Sequence, residues 1–186
     1  MAGECNTYSC GDLPEQSLDI CGGKTTGGGI NAYIFACDST TEFDDVTTIP
    51  TDIATDVAAG KASYFQNLMI GVEAGSPVNT SSPYVAGQTA DVANYDFAGT
   101  WTDANVNDAN DEAYAALNVT SGFIARAILF QLVGSTKWTL CIGTGGIKFI
   151  GGNIVPDNDG DYVRYSFTFN YRQPTGINKV LTIAGL

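Results

Sequence analysis

The sequence predicts a mainly β protein, an antiparallel β-sandwich or barrel with one or two short α-helices. Three observations carry that expectation. Residues 162–172 alternate without a break, with Val163, Tyr165, Phe167, Phe169 and Tyr171 on one face and Arg164, Ser166, Thr168, Asn170 and Arg172 on the other. That is the period of a strand with one buried face. Residues 123–133 are apolar on both faces apart from Arg126 and Gln131, as in a strand covered on two sides. The 22 glycines, nine Tyr and nine Phe, with many Thr, Val and Ile, favour strands joined by Gly-rich turns over a helical bundle.

A length of 186 residues suits one domain. Residues 1–29 read as an N-terminal arm and Gly-rich hinge, ahead of a single β-rich domain over residues 30–186. The Gly-Gly-Lys-Thr run at the end of the arm is not a phosphate loop. It lacks the first glycine at the required spacing, and a strand pattern follows it where a helix is needed. The first strand is expected over residues 31–37, followed by an acidic polar stretch over residues 38–45. Ile49-Pro50-Thr51-Asp52 starts a short helix that runs to Ala59 and stops at Gly60. Strand character returns over residues 63–73, residues 74–83 read as a loop, and residues 92–97 form another strand.

The clearest helix spans residues 110–119, where Ala109, Ala113, Ala116 and Leu117 recur at helical spacing. Asn107 or Asp108 caps it, and Asp111 and Glu112 occupy the first turn, where the positive end of the helix dipole favours carboxylates. Helix geometry thus accounts for this acidic cluster without catalysis. The two-faced strand over residues 123–133 then needs a second cover, which this helix or a neighbouring subunit can supply. Residues 137–142 and 147–155 read as a hairpin turned at Gly143-Thr144-Gly145-Gly146. The alternating strand over residues 162–172 and a last strand over residues 180–184 complete the chain.

Charge narrows the function. There are 20 Asp and Glu against 8 Lys and Arg, a net charge of −12, and no histidine. Tight binding to a nucleic-acid backbone needs a basic patch, so it is not expected. The missing histidine removes the commonest general acid/base and the commonest metal ligand. There is no Gly-x-Ser-x-Gly elbow and no dinucleotide fingerprint, so no enzyme and no cofactor is expected. No run approaches the roughly 18 apolar residues of a membrane span, and no membrane partner is expected. The opening Met1-Ala2-Gly3-Glu4-Cys5 has no basic or apolar leader, which predicts a chain made and kept in a cytoplasm.

Two features could hold metal. Cys5, Cys10, Cys21, Cys37 and Cys141 lack the paired C-x₂₋₄-C spacing of zinc sites, so free or partly buried thiols are expected. Asp157, Asp159 and Asp161 alternate around Gly160 and resemble the start of a calcium loop. The twelfth position of such a loop is Thr168 where glutamate is required. A tight turn built from Asp, Asn and Gly explains the same residues.

The helix over residues 110–119, the strand over residues 123–133, the hairpin over residues 137–155 and the strand over residues 162–172 together resemble the architecture of tail tube and related virion structural proteins of tailed bacteriophages. The resemblance implies a homo-oligomer whose barrels join edge to edge into rings that stack into a tube, assembled in the host cytoplasm. It also implies contact with other virion proteins, and DNA that passes through without specific binding. Residues 1–29 and 38–62 would bridge neighbouring rings. The contrasting expectation is a binding module, a capsid decoration protein or an adhesin-like or lectin-like sandwich, with calcium at Asp157, Asp159 and Asp161.

Interface candidates follow from the two-faced strand, because such a strand would otherwise expose apolar surface. They are Phe123, Ile124, Ile128, Phe130 and Leu132. Charge adds a second expectation. Residues 1–112 hold 17 acidic and 2 basic side chains, and residues 113–186 hold 3 acidic and 6 basic, so opposite ends of different copies are expected to attract.

Overall fold

The computed structural model describes residues 30–79, 92–132, 135–154 and 164–186. In chain order the elements are β1 (Ile30–Ala36), α1 (Ile49–Ala58), β2 (Ala62–Val72), β3 (Ser76–Asn79), β4 (Val92–Asp103), α2 (Asp108–Leu117), β5 (Ala125–Gln131), β6 (Lys137–Ile154), β7 (Arg164–Gln173) and β8 (Lys179–Thr182), with a short 3₁₀ turn, Val119–Ser121, after α2. Every strand pairing is antiparallel. The pairs β1–β2, β2–β4, β4–β7, β7–β6, β6–β5 and β5–β1 close a six-stranded barrel. Closure leaves none of these six strands as a full-length free edge.

Two long strands make the corners. Residues 62–68 of β2 pair with β1, while residues 69–72 pair with β4. Near the end of the first ladder, where the register shifts between Phe65 and Leu68, Asn67 adopts a left-handed φ of 58°, and the extra residue there bends the strand. β6 does the same on the opposite side. Residues 137–142 pair with β5 and β8, and residues 148–154 pair with β7. This corrects the expected hairpin. Gly143–Gly146 is a bulge within one 18-residue strand, because Ile142 and Ile147 both stay in register with β5, opposite Ala127 and Ala125.

Gly145 and Gly146 have φ of 89° and 86°, which an L side chain rarely adopts. A Cβ on Gly146 would also run into Ile124 Cγ2. We expect Gly146→Ala to cost about 2 kcal/mol from left-handed strain plus overpacking. A chemical denaturation midpoint equal to that of the wild type would show that this corner is not needed.

The corners divide the wall into two sheets. Sheet A comprises the first half of β2, β1, β5, the first half of β6, and β8. Sheet B comprises the second half of β2, β4 with β3 alongside, β7, and the second half of β6. The barrel interior holds Ile34, Phe65, Trp101, Ile128, Phe130, Phe149, Phe167 and Phe169, all buried. Burying each such side chain contributes about 1.5 to 3 kcal/mol. The rings pack edge to face, with Phe65–Trp101 centroids 5.3 Å apart and Trp101–Phe149 centroids 5.8 Å apart.

A second core lies outside sheet A. There Phe35, Ala127, Leu129, Trp138 and Leu140 meet Ile49 and Ile53 of α1, together with Phe43, Leu181 and Ile183. β5 is therefore apolar on both faces because it separates two cores of the same chain. α1, not α2, supplies its outer cover.

α2 closes one end of the barrel. Asn107 caps it by accepting from the Asn110 N–H at 3.0 Å, as the sequence predicts. Tyr114 and Leu117 point into the interior. The Tyr114 hydroxyl donates to Asp103 at 2.7 Å and accepts from Trp101 Nε1 at 3.2 Å, while Tyr165 donates to Asp111 at 2.5 Å. Burial first, and then the Asp103 charge, raise the Tyr114 hydroxyl well above the usual phenol range, so it stays a donor.

The thiol expectation is corrected at Cys37, which is disulfide-bonded. Cys141 is a free thiol inside the barrel. Burial pushes it up to about 12 despite a hydrogen bond from Tyr171, so it is inert packing. The calcium candidates Asp157, Asp159 and Asp161, and the arm over residues 1–29, lie outside the described residues.

Candidate functional site

Sheet A is covered by α1 and the C-terminal residues. No described element covers the outer face of sheet B. That face is built from the outward positions of four strands, because the inward positions carry the interior aromatics. Across β2, β4, β7 and β6 the first row is Met69, Thr102, Ser166, Gly152. The second row is Gly71, Thr100, Thr168, Ile150. In the third, Ala98, Asn170 and Lys148 are in register, with Glu73 hydrogen-bonded through its N–H to the Ala98 carbonyl at 2.9 Å. The fourth holds Ser76, Asp96 and Arg172.

Most of these side chains are short, so the surface is flat, with Met69 (56 % exposed) and Ile150 (51 %) standing out as apolar knobs. Charge gathers at one end, where Glu73, Ser76, Asp96, Lys148, Asn170 and Arg172 line an open cleft of about 520 Å³. Arg172 grips Asp96 with both arms, Nε to Oδ1 at 2.6 Å and Nη2 to Oδ2 at 3.0 Å. The hydrogen bonds of Arg172 hold the Asp96 carboxyl below its usual range. Glu73 and Lys148 make no ion pair with a described residue.

The cleft does not resemble a reaction centre. Its two acids, Glu73 and Asp96, are both exposed, and no described nucleophile there is held by a base. Among the described residues no group of three His, Cys, Asp or Glu is placed to hold a metal ion. No described helix is long and apolar enough to cross a membrane.

The interface candidates fare unevenly. Ile128 and Phe130 are a correction: both point into the barrel and are buried by their own chain, so neither is available to a neighbour. Phe123 and Leu132 are half-buried and pack against the same core. Ile124 is half-buried beside Gly146.

Comparison with protein-family models, with curated proteins and with solved structures finds no match. The chain's own residues therefore carry the functional reading. Among them, cations of the basic half pair in part with acids of the acidic half inside one chain. Arg126 pairs with Glu42 at 3.5 Å, Lys179 with Asp44 at 3.6 Å, and Arg172 with Asp96. Arg126, Lys179 and Arg172 are thus engaged at home.

Proposed function

We propose that this chain is a structural subunit of a bacteriophage virion, a tail tube protein whose copies close into rings that stack into a conduit for DNA. The observation that supports this reading is the edge of sheet A. β8 carries the sheet past the closed barrel, pairing with β6 on one side and with no described strand on the other. The other terminal strand, β3, carries Pro77, which has no N–H to offer a ladder. β8 has no such block, and Val180 on it is 53 % exposed. An open strand edge beside an exposed aliphatic side chain is a site for edge-to-edge joining between copies.

In such a tube the subunit is a building element and not an enzyme, and it takes no cofactor. Its partners are further copies and other virion proteins. A net charge of −12 keeps passing phosphates from adhering. Electron microscopy of the concentrated full chain tests the reading. Rings or tubes of uniform diameter are expected from the wild type, and Val180→Asp should abolish them while leaving the circular dichroism melt in place. Dispersed particles of subunit size at every concentration would rule the reading out.

A further inference from the structure

The outer face of sheet B is self-complementary, and we propose that it docks a second copy of this chain. This goes beyond the ring reading and uses another surface, sheet B and not the β8 edge, so either contact can fail by itself. The inference rests on strand register. Let a second copy approach face to face about a two-fold axis lying in the interface parallel to the strands. β2 of one copy then lies over β6 of the other, and β4 over β7, with each row facing itself in reverse.

Under that operation Met69 stands over Gly152 of the second copy, and Ile150 stands over its Gly71. Both exposed knobs meet positions with no side chain. A Cβ at Gly152 would find nothing within 4 Å, and one at Gly71 only Thr100 Oγ1 at 3.3 Å, so both positions are open sockets. Thr100 faces Thr168, and Ala98 faces Asn170. These short pairs let two sheets approach to about 10 Å.

Charge matches in the same register. Glu73 faces Lys148 of the second copy, Asp96 faces its Arg172, and both are repeated reciprocally. Two acids on the β2 and β4 side and two bases on the β6 and β7 side make the face neutral in a chain of net charge −12. Here two like copies meet without net repulsion. Four strands about 4.8 Å apart and four rows about 6.8 Å apart give about 500 Å² per copy. That is the low end for a specific interface, so the dimer is reversible.

Sedimentation equilibrium of the full chain over roughly 10 to 300 μM tests the proposal, that range being suited to a contact this small. A reversible shift from 19.5 kDa toward twice that mass is expected. Glu73→Lys and Lys148→Glu should each weaken the dimer at least about tenfold. E73K/K148E together should restore it to within about threefold, because the exchanged charges again face one another. Gly152→Leu fills the socket and should abolish the dimer without lowering the melting temperature, since its Cβ position is open.

A wild type that remains monomeric, a double exchange that recovers nothing, or a dimer indifferent to all of these changes would overturn the proposal. Rings that form without a dimer and survive Glu73→Lys would sink the sheet B contact and leave the β8 reading standing. A dimer without rings would do the reverse.

Discussion

Replacing Asp56 by alanine will destabilise the protein by about 3 to 5 kcal/mol, the summed cost of leaving several buried hydrogen-bond donors without their acceptor. Asp56 lies on α1 and is 1 % exposed. It accepts from the hydroxyls of Ser39 at 2.7 Å, Thr40 at 3.0 Å and Thr41 at 2.6 Å, and from the backbone N–H groups of Thr40 and Thr41. One carboxylate thus pins the segment after β1 to the helix that covers sheet A. Removing it strands these donors in a site closed to water.

The same group sets an acid limit. Burial acts to raise the Asp56 carboxyl, but its hydrogen bonds outweigh it and hold the group at about 2. Against an unfolded value near 3.9, this contributes about 2 to 3 kcal/mol. Because the folded value is the lower one, the contribution is complete above about pH 5 and is lost as pH falls from about 4 toward 2. Urea titrations of the wild type and Asp56→Asn at pH 7 and at pH 2.5 check the sign. The gap between them should shrink at the lower pH, and a constant gap would refute the assignment.

Gly99→Ala is the second large effect, expected at about 3 kcal/mol. Gly99 faces the barrel interior on β4, directly across from Phe169 on β7. A Cβ there would fall inside van der Waals contact with Cζ and both Cε atoms of the Phe169 ring. That ring is fully buried and packs against Phe149 at 5.7 Å and Tyr171 at 6.2 Å, so it has nowhere to go. Phe169→Leu should recover part of the loss in the Gly99→Ala background while destabilising the wild type. Additive losses in that double-mutant cycle would mean that the ring and the glycine do not compete for the same space.

These residues also show how far the sequence could be read. β7 was legible because its alternation is complete, with Tyr165, Phe167, Phe169 and Tyr171 all buried. α2 was legible because its cap and first turn follow local rules. β5 was recognised as two-sided, yet its second cover was not identifiable, because α1 is joined to it only through folding. The glycines misled for a related reason. Gly143–Gly146 satisfies turn chemistry, and only the pairing of Ile142 and Ile147 with the same neighbouring strand marks it as a bulge. β3 went unread, being four residues with a proline inside a Gly- and Ser-containing stretch.

The face of sheet B was invisible for the same physical reason. Met69 and Gly152 lie far apart in sequence and share a row only through β4 and β7. Local patterning reports which side of a strand is buried, but the register between distant strands decides which outward residues become neighbours. The charge asymmetry was legible as a count, whereas its partial neutralisation within one chain depended on folding. Arg126 and Glu42, 84 residues apart, make that point.

The self-assembly proposed for this chain has a direct readout. Native mass spectrometry of the concentrated full chain tests it most directly, since each assembled species reports its own copy number. Masses at whole multiples of 19.5 kDa are expected, growing with concentration and receding with added salt. A single species at 19.5 kDa at every concentration would contradict self-assembly.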